Sequence, residues 1–272
     1  MKIILSRKGF DSKSGEYPSP ILPDGKFVSL PIPDESDIFY SNLKLNGFTY
    51  YEIMKQLGMK KYNEKSTCHL DPDICMNVLE RPKNWRPIFG QIDKSQKHLN
   101  NQDVKEGDLF LFFGTFRKTE YNEGKLVFCK NDPEIHAIFG YLQINEIIRT
   151  ASEADKIKDW MYYHPHIKSK ERRLDPSNAV YIAREKVSWN DKVAGAGCFH
   201  FNEKLVLTKK GYSKSRWDLD PEIFGNLKIT YHPNPWKENY FQSLKSPGQE
   251  FVIEENEKVE NWAKELINNI SI

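Results

Sequence analysis

The sequence predicts an α/β protein, a single domain over residues 1–272 with a mixed, partly antiparallel central sheet flanked by helices. Three observations predict it. Apolar runs at Ile3-Ile4-Leu5, Leu109-Phe110-Leu111-Phe112-Phe113 and Ala137-Ile138-Phe139 are uninterrupted by polar residues, as in strands buried on both faces. Between the second and third lies a polar stretch, 118–132, containing Asn122-Glu123-Gly124; a hairpin connection of this kind makes those two strands antiparallel neighbours. Val259, Trp262, Ala263, Leu266, Ile267 and Ile270 recur every three or four residues, the spacing of one apolar helical face. No repeat, low-complexity linker or break in composition divides the chain.

Taken in order, the first strand ends abruptly in Ser6-Arg7-Lys8-Gly9-Phe10-Asp11-Ser12. A strand that stops in a polar loop puts its last side chains at the rim of a sheet, where binding groups collect. The opening run is too short for a signal peptide. Gly15-Glu16-Tyr17-Pro18-Ser19-Pro20 and Leu22-Pro23-Asp24-Gly25-Lys26 specify turns, and Phe27–Ile32 reads as a short edge strand. Asp11 therefore falls in a long, proline-stiffened loop, a kind that is usually functional. Thr49-Tyr50-Tyr51-Glu52 is a capping-box pattern and Gly58 a stop, predicting a helix over 49–57. Residues 68–102 read as loop with at most short helices. Ser152-Glu153-Ala154-Asp155 predicts a helix to about residue 162. Ala179–Ala183, Leu205–Thr208 and Leu227–Tyr231 read as further short strands.

Composition excludes several classes. With 39% hydrophobic and 29% charged residues the chain is globular rather than disordered. No apolar run is long enough to span a bilayer, so a soluble, cytoplasmic protein without membrane partners is expected. Forty basic against thirty-eight acidic residues neither demand nor exclude a polyanionic partner, since a local basic face can act under a near-zero total. Cys68, Cys75, Cys129 and Cys198 lack paired metal spacing and are expected as reduced thiols; a zinc site at Cys68, His69 and Cys75 has no evident fourth ligand. A P-loop, a nucleophile elbow and a His-Glu-x-x-His helix are all missing, and Gly195-Ala196-Gly197 lacks the third glycine of a dinucleotide fingerprint.

Several constellations can carry chemistry. Asp11 stands among Arg7, Lys8 and Lys13, cations that favour an ionised carboxylate able to hold a water or face a developing positive charge; it can equally just close a turn. His69, Asp71 and Asp73 share a face if extended, as a divalent-ion or polar cluster, whereas Asp71-Pro72-Asp73 also reads as a turn or cap. Gln91, Gln96, His98 and Gln102 lie near Trp85 and Phe89, and amides can read base edges. Two basic clusters suit a nucleic-acid backbone: Lys168, Lys170, Arg172 and Arg173 after His164-Pro165-His166, and Lys209, Lys210, Lys214 and Arg216 with Tyr212 and Trp217 among them. Glu250, in Gly248-Gln249-Glu250-Phe251-Val252, is a second acid or base, or a strand-end charge.

The ordered series Ser6–Ser12, Pro18-Ser19-Pro20-Ile21, Leu30-Pro31-Ile32-Pro33, Phe89-Gly90-Gln91, Gln96-x-His98-Leu99, Gly107–Gly114, Ile138-Phe139-Gly140 and Gly248–Val252 resembles the nucleotide-modification-associated domain family, third type, over nearly the whole chain. The family is associated with hypermodified phage DNA. Its members act, or are proposed to act, as DNA glycosylases that remove bases such as glucosylated hydroxymethylcytosine in antiviral defence. The resemblance implies a DNA partner carrying modified bases, a base flipped into a pocket, and an ionised carboxylate facing the charge that builds on the sugar. Asp11 is the first choice for that carboxylate and Glu250 the second. Ser6, Arg7 and Lys8 would contact the flipped nucleotide; Asp71, Gln91, Gln96, His98 and Gln249 would read the base or its sugar; Phe10, Tyr17 or Phe112 would stack. No lysine is marked as a desolvated nucleophile, so a water-using, monofunctional enzyme is expected, with no cofactor, metal or obligate protein partner. A non-catalytic reader of modified DNA, or an enzyme that installs or alters the modification, are the alternatives.

Overall fold

The computed structural model describes residues 1–11, 13–244 and 249–270, residue 270 by its backbone alone. Its centre is a sheet built from β1 (Ile3–Arg7), β2 (Ser19–Ile21), β3 (Ile88–Gln91), β4 (Leu109–Asn122), β5 (Lys125–Phe128), β6 (Ile135–Arg149), β7 (Ala179–Ala183), β8 (Ala196–Cys198) and β9 (Glu250–Ile253). Among the described residues these nine strands follow the order β9-β1-β4-β6-β7-β3, with β2 and β5 also on β4 and β8 on β6. Strands β1 and β2 run parallel to β4, and the remaining pairs are antiparallel. The mixed, partly antiparallel α/β class read from the sequence is the observed one.

The two ends of that path meet. Gln91 on β3 donates from Nε2 to Glu250 Oε1 on β9 at 2.7 Å, so the sheet curls until its outer strands face one another. Phe89, Phe110, Phe112 and Tyr181 pack together between them, in ring contacts with centroids 4.9–5.6 Å apart. The β4–β6 pair forms the backbone of the sheet, with one irregularity between Phe112 and Phe113. Beyond the core β4 continues as a ribbon and reverses at Glu123-Gly124, both at positive φ, into β5. The polar stretch 118–132 is thus more than a connection.

Helix α1 (Tyr50–Gln56) starts on the reciprocal Thr49–Glu52 capping box and ends before Gly58, as the sequence predicts. Around it a second cluster gathers Phe10, Tyr40, Met54 and Tyr62. Helices α2 (Asp93–Asn101), α3 (Pro165–Lys168), α4 (Lys170–Leu174), α5 (Pro221–Phe224) and α6 (Glu257–Ile270) complete the shell. The last lays Val259, Ala263, Leu266 and Ile267 on the main core.

Four expectations are corrected. Residues 88–91 form β3 rather than loop, being too short to alternate, while α2 is a short helix of the kind allowed for in this region; it begins after Ile92 with no side-chain cap and with Asp93 at φ 56. Residues 152–162 make two 3-10 turns instead of a helix; the first starts after Glu153 with no side-chain cap, and Glu153 accepts from Arg149 N and Lys156 Nζ. The strands expected at 27–32, 205–208 and 227–231 contribute isolated bridges only. Cys75 and Cys198 are joined as a disulfide, whereas Cys68 and Cys129 are free thiols. No helix among the described residues is long and apolar enough to cross a membrane.

One core group makes stability depend on pH. His136 on β6 accepts at Nδ1 from Trp217 Nε1, 3.0 Å, inside the core. Burial, reinforced by the charges of Arg7 and Lys214, pushes its imidazole down from 6.5 to about 3. The folded state therefore refuses a proton that the unfolded chain takes up. Its contribution is intact above 6.5 and is lost as pH falls from there toward 3. Between pH 7 and pH 5 it removes about 2 kcal/mol of stability. Urea midpoints across that range are expected to flatten in His136→Gln relative to wild type.

Candidate functional site

At its C-terminal end β1 leaves the sheet. The Lys8 N–H still donates to Phe113 O at 2.8 Å, and Arg7 N–H to Gln249 O at 2.8 Å, so both side chains are set by the sheet. Gly9 then turns at φ +78, where a Cβ would stand 2.9 Å from Ser29 Oγ. A cavity of about 520 Å³ opens at this point, of the size that takes a nucleoside-like ligand. Arg7, Lys8, Asp11 and Lys13 line it, with Gln249 beside Arg7 and Gln91 sharing Glu250 Oε1 with Lys8, and His69, Asp71, His166 and Arg172 complete the lining.

Asp11 does both things that its sequence allows. Its Oδ1 accepts the backbone N–H groups of Lys13 and Ser14 at 2.8 and 2.7 Å, closing a turn, and its carboxylate borders the cavity. Burial pulls the Arg7 guanidinium below its ordinary value, opposed by the negative charges of Asp11 and Glu250.

Glu250 is a correction. Its side chain is 1% exposed and lies outside the cavity lining, underneath it. Oε1 accepts from Lys8 Nζ at 2.8 Å and from Gln91 Nε2 at 2.7 Å, while Oε2 has no hydrogen-bond partner among the described residues. The arrangement suits a residue that positions Lys8 and Gln91 rather than one that meets a ligand. Lys8 is the second correction, because a lysine does sit in a desolvated setting: its side chain is 8% exposed and its ammonium lies 4.5 Å from the Phe89 ring centroid.

Elsewhere in the lining, Asp71 Oδ1 accepts the Gly90 N–H at 2.8 Å and faces His164 Nε2 at 3.2 Å. Burial alone would raise the Asp71 carboxyl, but the contact from His164 and the neighbouring imidazoles outweigh it and hold it well below the usual range. Asp34 Oδ2 receives His69 Nδ1 and Arg172 Nη1, both at 2.8 Å; the His69 bond leads the causes that depress its carboxyl. His166 Nδ1 meets Asn178 Oδ1 at 2.6 Å, and burial lowers its imidazole to about 3, so it is neutral. Gly90 is required here, because a Cβ on it would lie 2.3 Å from the His166 ring. Gly90→Ala is expected to cost about 1–3 kcal/mol by urea denaturation, the penalty of overpacking, with His166 displaced from the wall.

Of the residues singled out in the sequence, Arg7, Lys8, Asp11, Asp71, Gln91, Gln249 and Arg172 meet at the cavity. Others do not. Ser6 is buried in β1. Phe10 is wholly buried against Tyr40 and Tyr62, and Phe112 in the main core, so neither ring can stack on a ligand. Tyr17 packs on the second cluster. Gln96 is tied to Asn100 and the Tyr181 hydroxyl, and His98 to Thr230 and the Tyr231 ring. Asp73 is taken by Arg81 and the Tyr163 hydroxyl, apart from His69 and Asp71. Lys168 and Lys170 are exposed on α3 and α4, the helices that carry His166 and Arg172; Lys168 pairs with Asp37, and Arg173 folds back onto Ile167 O. In the other basic cluster Lys209 and Lys214 pair with Asp218 and Glu134, Lys210 is exposed, and Arg216 lies over Tyr212 and Tyr240. Trp217 is core, not a stacking surface. Sequence reasoning missed Asp34, which no spacing marks, and gave His69 and His166 other companions.

The fold and this cavity define a curled-sheet α/β protein with a pocket for a polar ligand, rich in cations and amides. The chain belongs to the nucleotide modification associated domain 3 family, whose model matches residues 2–254. No curated protein and no solved structure matches it.

Proposed function

We propose that this protein is a DNA glycosylase that excises a hypermodified cytosine, glucosylated hydroxymethylcytosine being the type substrate, as an antiviral activity. One observation carries the reading: an Asp11 carboxylate, flanked by Arg7 and Lys8, borders a polar cavity of about 520 Å³. Family membership supplies the nucleotide-modification context. A base in a duplex is out of reach, so the target nucleotide is flipped into this cavity. As the N-glycosidic bond breaks, positive charge builds on the sugar; Asp11 faces it and orients a water whose oxygen bonds to C1′ while the base leaves with a proton. Gln91 and Gln249 offer amides to the base or its sugar, and Arg172 offers a fork to a hydroxyl or phosphate oxygen. Exposed Lys168 and Lys170 on the adjoining helices meet the strand outside.

The buried Lys8 gives a second reading, in which its amine attacks C1′ and forms a Schiff base. Lys8 Nζ is already engaged by Glu250 Oε1 at 2.8 Å and lies over the Phe89 ring, so the water route is preferred. Duplexes carrying cytosine, hydroxymethylcytosine and its glucoside separate the possibilities. Alkali-labile sites in the modified duplex alone, without borohydride-trapped protein, are the expected result. A mobility shift with no alkali lability would mark a reader instead.

A further inference from the structure

We infer that His69, Asp71 and His166 form a site for one divalent transition-metal ion, open to the cavity. Each residue has one donor atom committed elsewhere and a second turned inward. Asn178 donates from Nδ2 to Thr150 Oγ1 and to His166 O, so its Oδ1 is the acceptor and His166 Nδ1 carries the proton. His166 Nε2 is left with a lone pair. Asp34 fixes His69: the 2.8 Å contact of its carboxylate with Nδ1 places the proton there, against the longer 3.2 Å approach of Arg172 Nη1 to the same nitrogen, and leaves Nε2 as the lone pair. Asp71 Oδ1 is occupied by Gly90 N–H, which leaves Oδ2.

Those three free atoms converge. Asp71 Oδ2 is 3.9 Å from His69 Nε2 and 3.8 Å from His166 Nε2, and the whole set lies within 4.8 Å. Ions bound at about 2.0–2.2 Å by nitrogen and oxygen need donors somewhat closer than this, so the three would draw in by roughly half an ångström. The partners of the donors match what metal-bound histidines have: a carboxylate behind one imidazole and an amide oxygen behind the other. Two imidazoles and one carboxylate on a single wall leave coordination positions facing the cavity, a donor set suited to zinc-class or iron-class divalent ions that also bind water or a ligand oxygen. Asp73, which the sequence set beside His69 and Asp71, contributes nothing, because Arg81 and Tyr163 hold it. The metal-free protein expected from the sequence gives way to this reading, which does not depend on the glycosylase assignment.

The test is direct binding to chelator-treated, folded full-length protein, with Zn(II), with Co(II) as a visible-absorption probe, and with Fe(II) under anaerobic conditions. One equivalent is expected, with a Co(II) spectrum that His166→Gln and His69→Asn each abolish and that His98→Gln leaves unchanged. Asp34→Asn, which touches no ion, is expected to weaken binding about 10–100-fold by loosening His69. Zn(II) or Fe(II) as the tighter ion decides which class the site serves. Wild-type protein that takes up less than a tenth of an equivalent, or a Co(II) spectrum identical in both histidine variants and wild type, would overturn the inference. Binding is read without DNA, so failure of base excision leaves this result standing, and the reverse also holds.

Discussion

Asp11→Asn is expected to fold as the wild type does and to lose base release by about 10²–10⁴-fold, the usual range for a positioned acid–base group. The choice of asparagine follows from the turn. Lys13 N–H and Ser14 N–H both donate to Oδ1 of Asp11, and an asparagine keeps that oxygen while losing the negative charge. Asp11→Ala removes both and is expected to lose about 1 kcal/mol of stability as well, in the range of a lost cap. Abasic-site formation in single turnover, beside thermal melting, reads both effects. Wild-type rates in a folded Asp11→Asn protein would leave Asp11 as a turn residue and nothing more.

The largest effect on stability is expected at Lys8 and Glu250. Both side chains are more than nine-tenths buried, and their contact is 2.8 Å. Lys8→Met strands the Glu250 carboxylate with the Gln91 amide alone, and Glu250→Gln strands the ammonium over Phe89. Each single change is expected to cost about 3–5 kcal/mol, the penalty of leaving one buried charge without its partner. The pair Lys8→Met with Glu250→Gln is expected to recover much of that, giving a strong coupling in a double-mutant cycle by urea denaturation. Strict additivity of the two losses would mean that the buried ion pair does not organise this wall. Gln91 makes the effect functional too, because its amide is aimed by the same carboxylate oxygen.

How much of this was legible in the sequence varies with the kind of signal. Long apolar runs gave β4 and β6 and their antiparallel pairing, and three-four spacing gave α6, because burial over many residues leaves a pattern. The reciprocal box at Thr49 and Glu52 gave α1 to within a residue. Segment β3 left no pattern: four residues, all buried, read the same in a strand and a packed loop. The helix expected near Ser152 failed because a capping pattern does not by itself make the cap: the turn there starts one residue later, after Glu153, with no side-chain hydrogen bond to cap it. At the site, Arg7, Lys8 and Asp11 were visible together since they fall within five residues where β1 ends and its loop begins. The His69–Asp71–His166 wall was not, as it joins two segments about a hundred residues apart, both packed on Gly90 of β3. Phe10 shows the limit of local reading: a neighbour in sequence of Asp11, it points the other way, into the second core cluster.

The central claim, that a bond from base to sugar is broken by water, has one most direct measurement. Duplex DNA carrying glucosylated hydroxymethylcytosine is incubated with the protein, with and without borohydride, and the products are weighed by mass spectrometry. The account predicts the intact modified base free in solution, an abasic deoxyribose left in the strand, and no protein trapped on it. A strand that keeps its cytosine while shedding or exchanging only the attached sugar would contradict it and make this an enzyme that alters the modification instead.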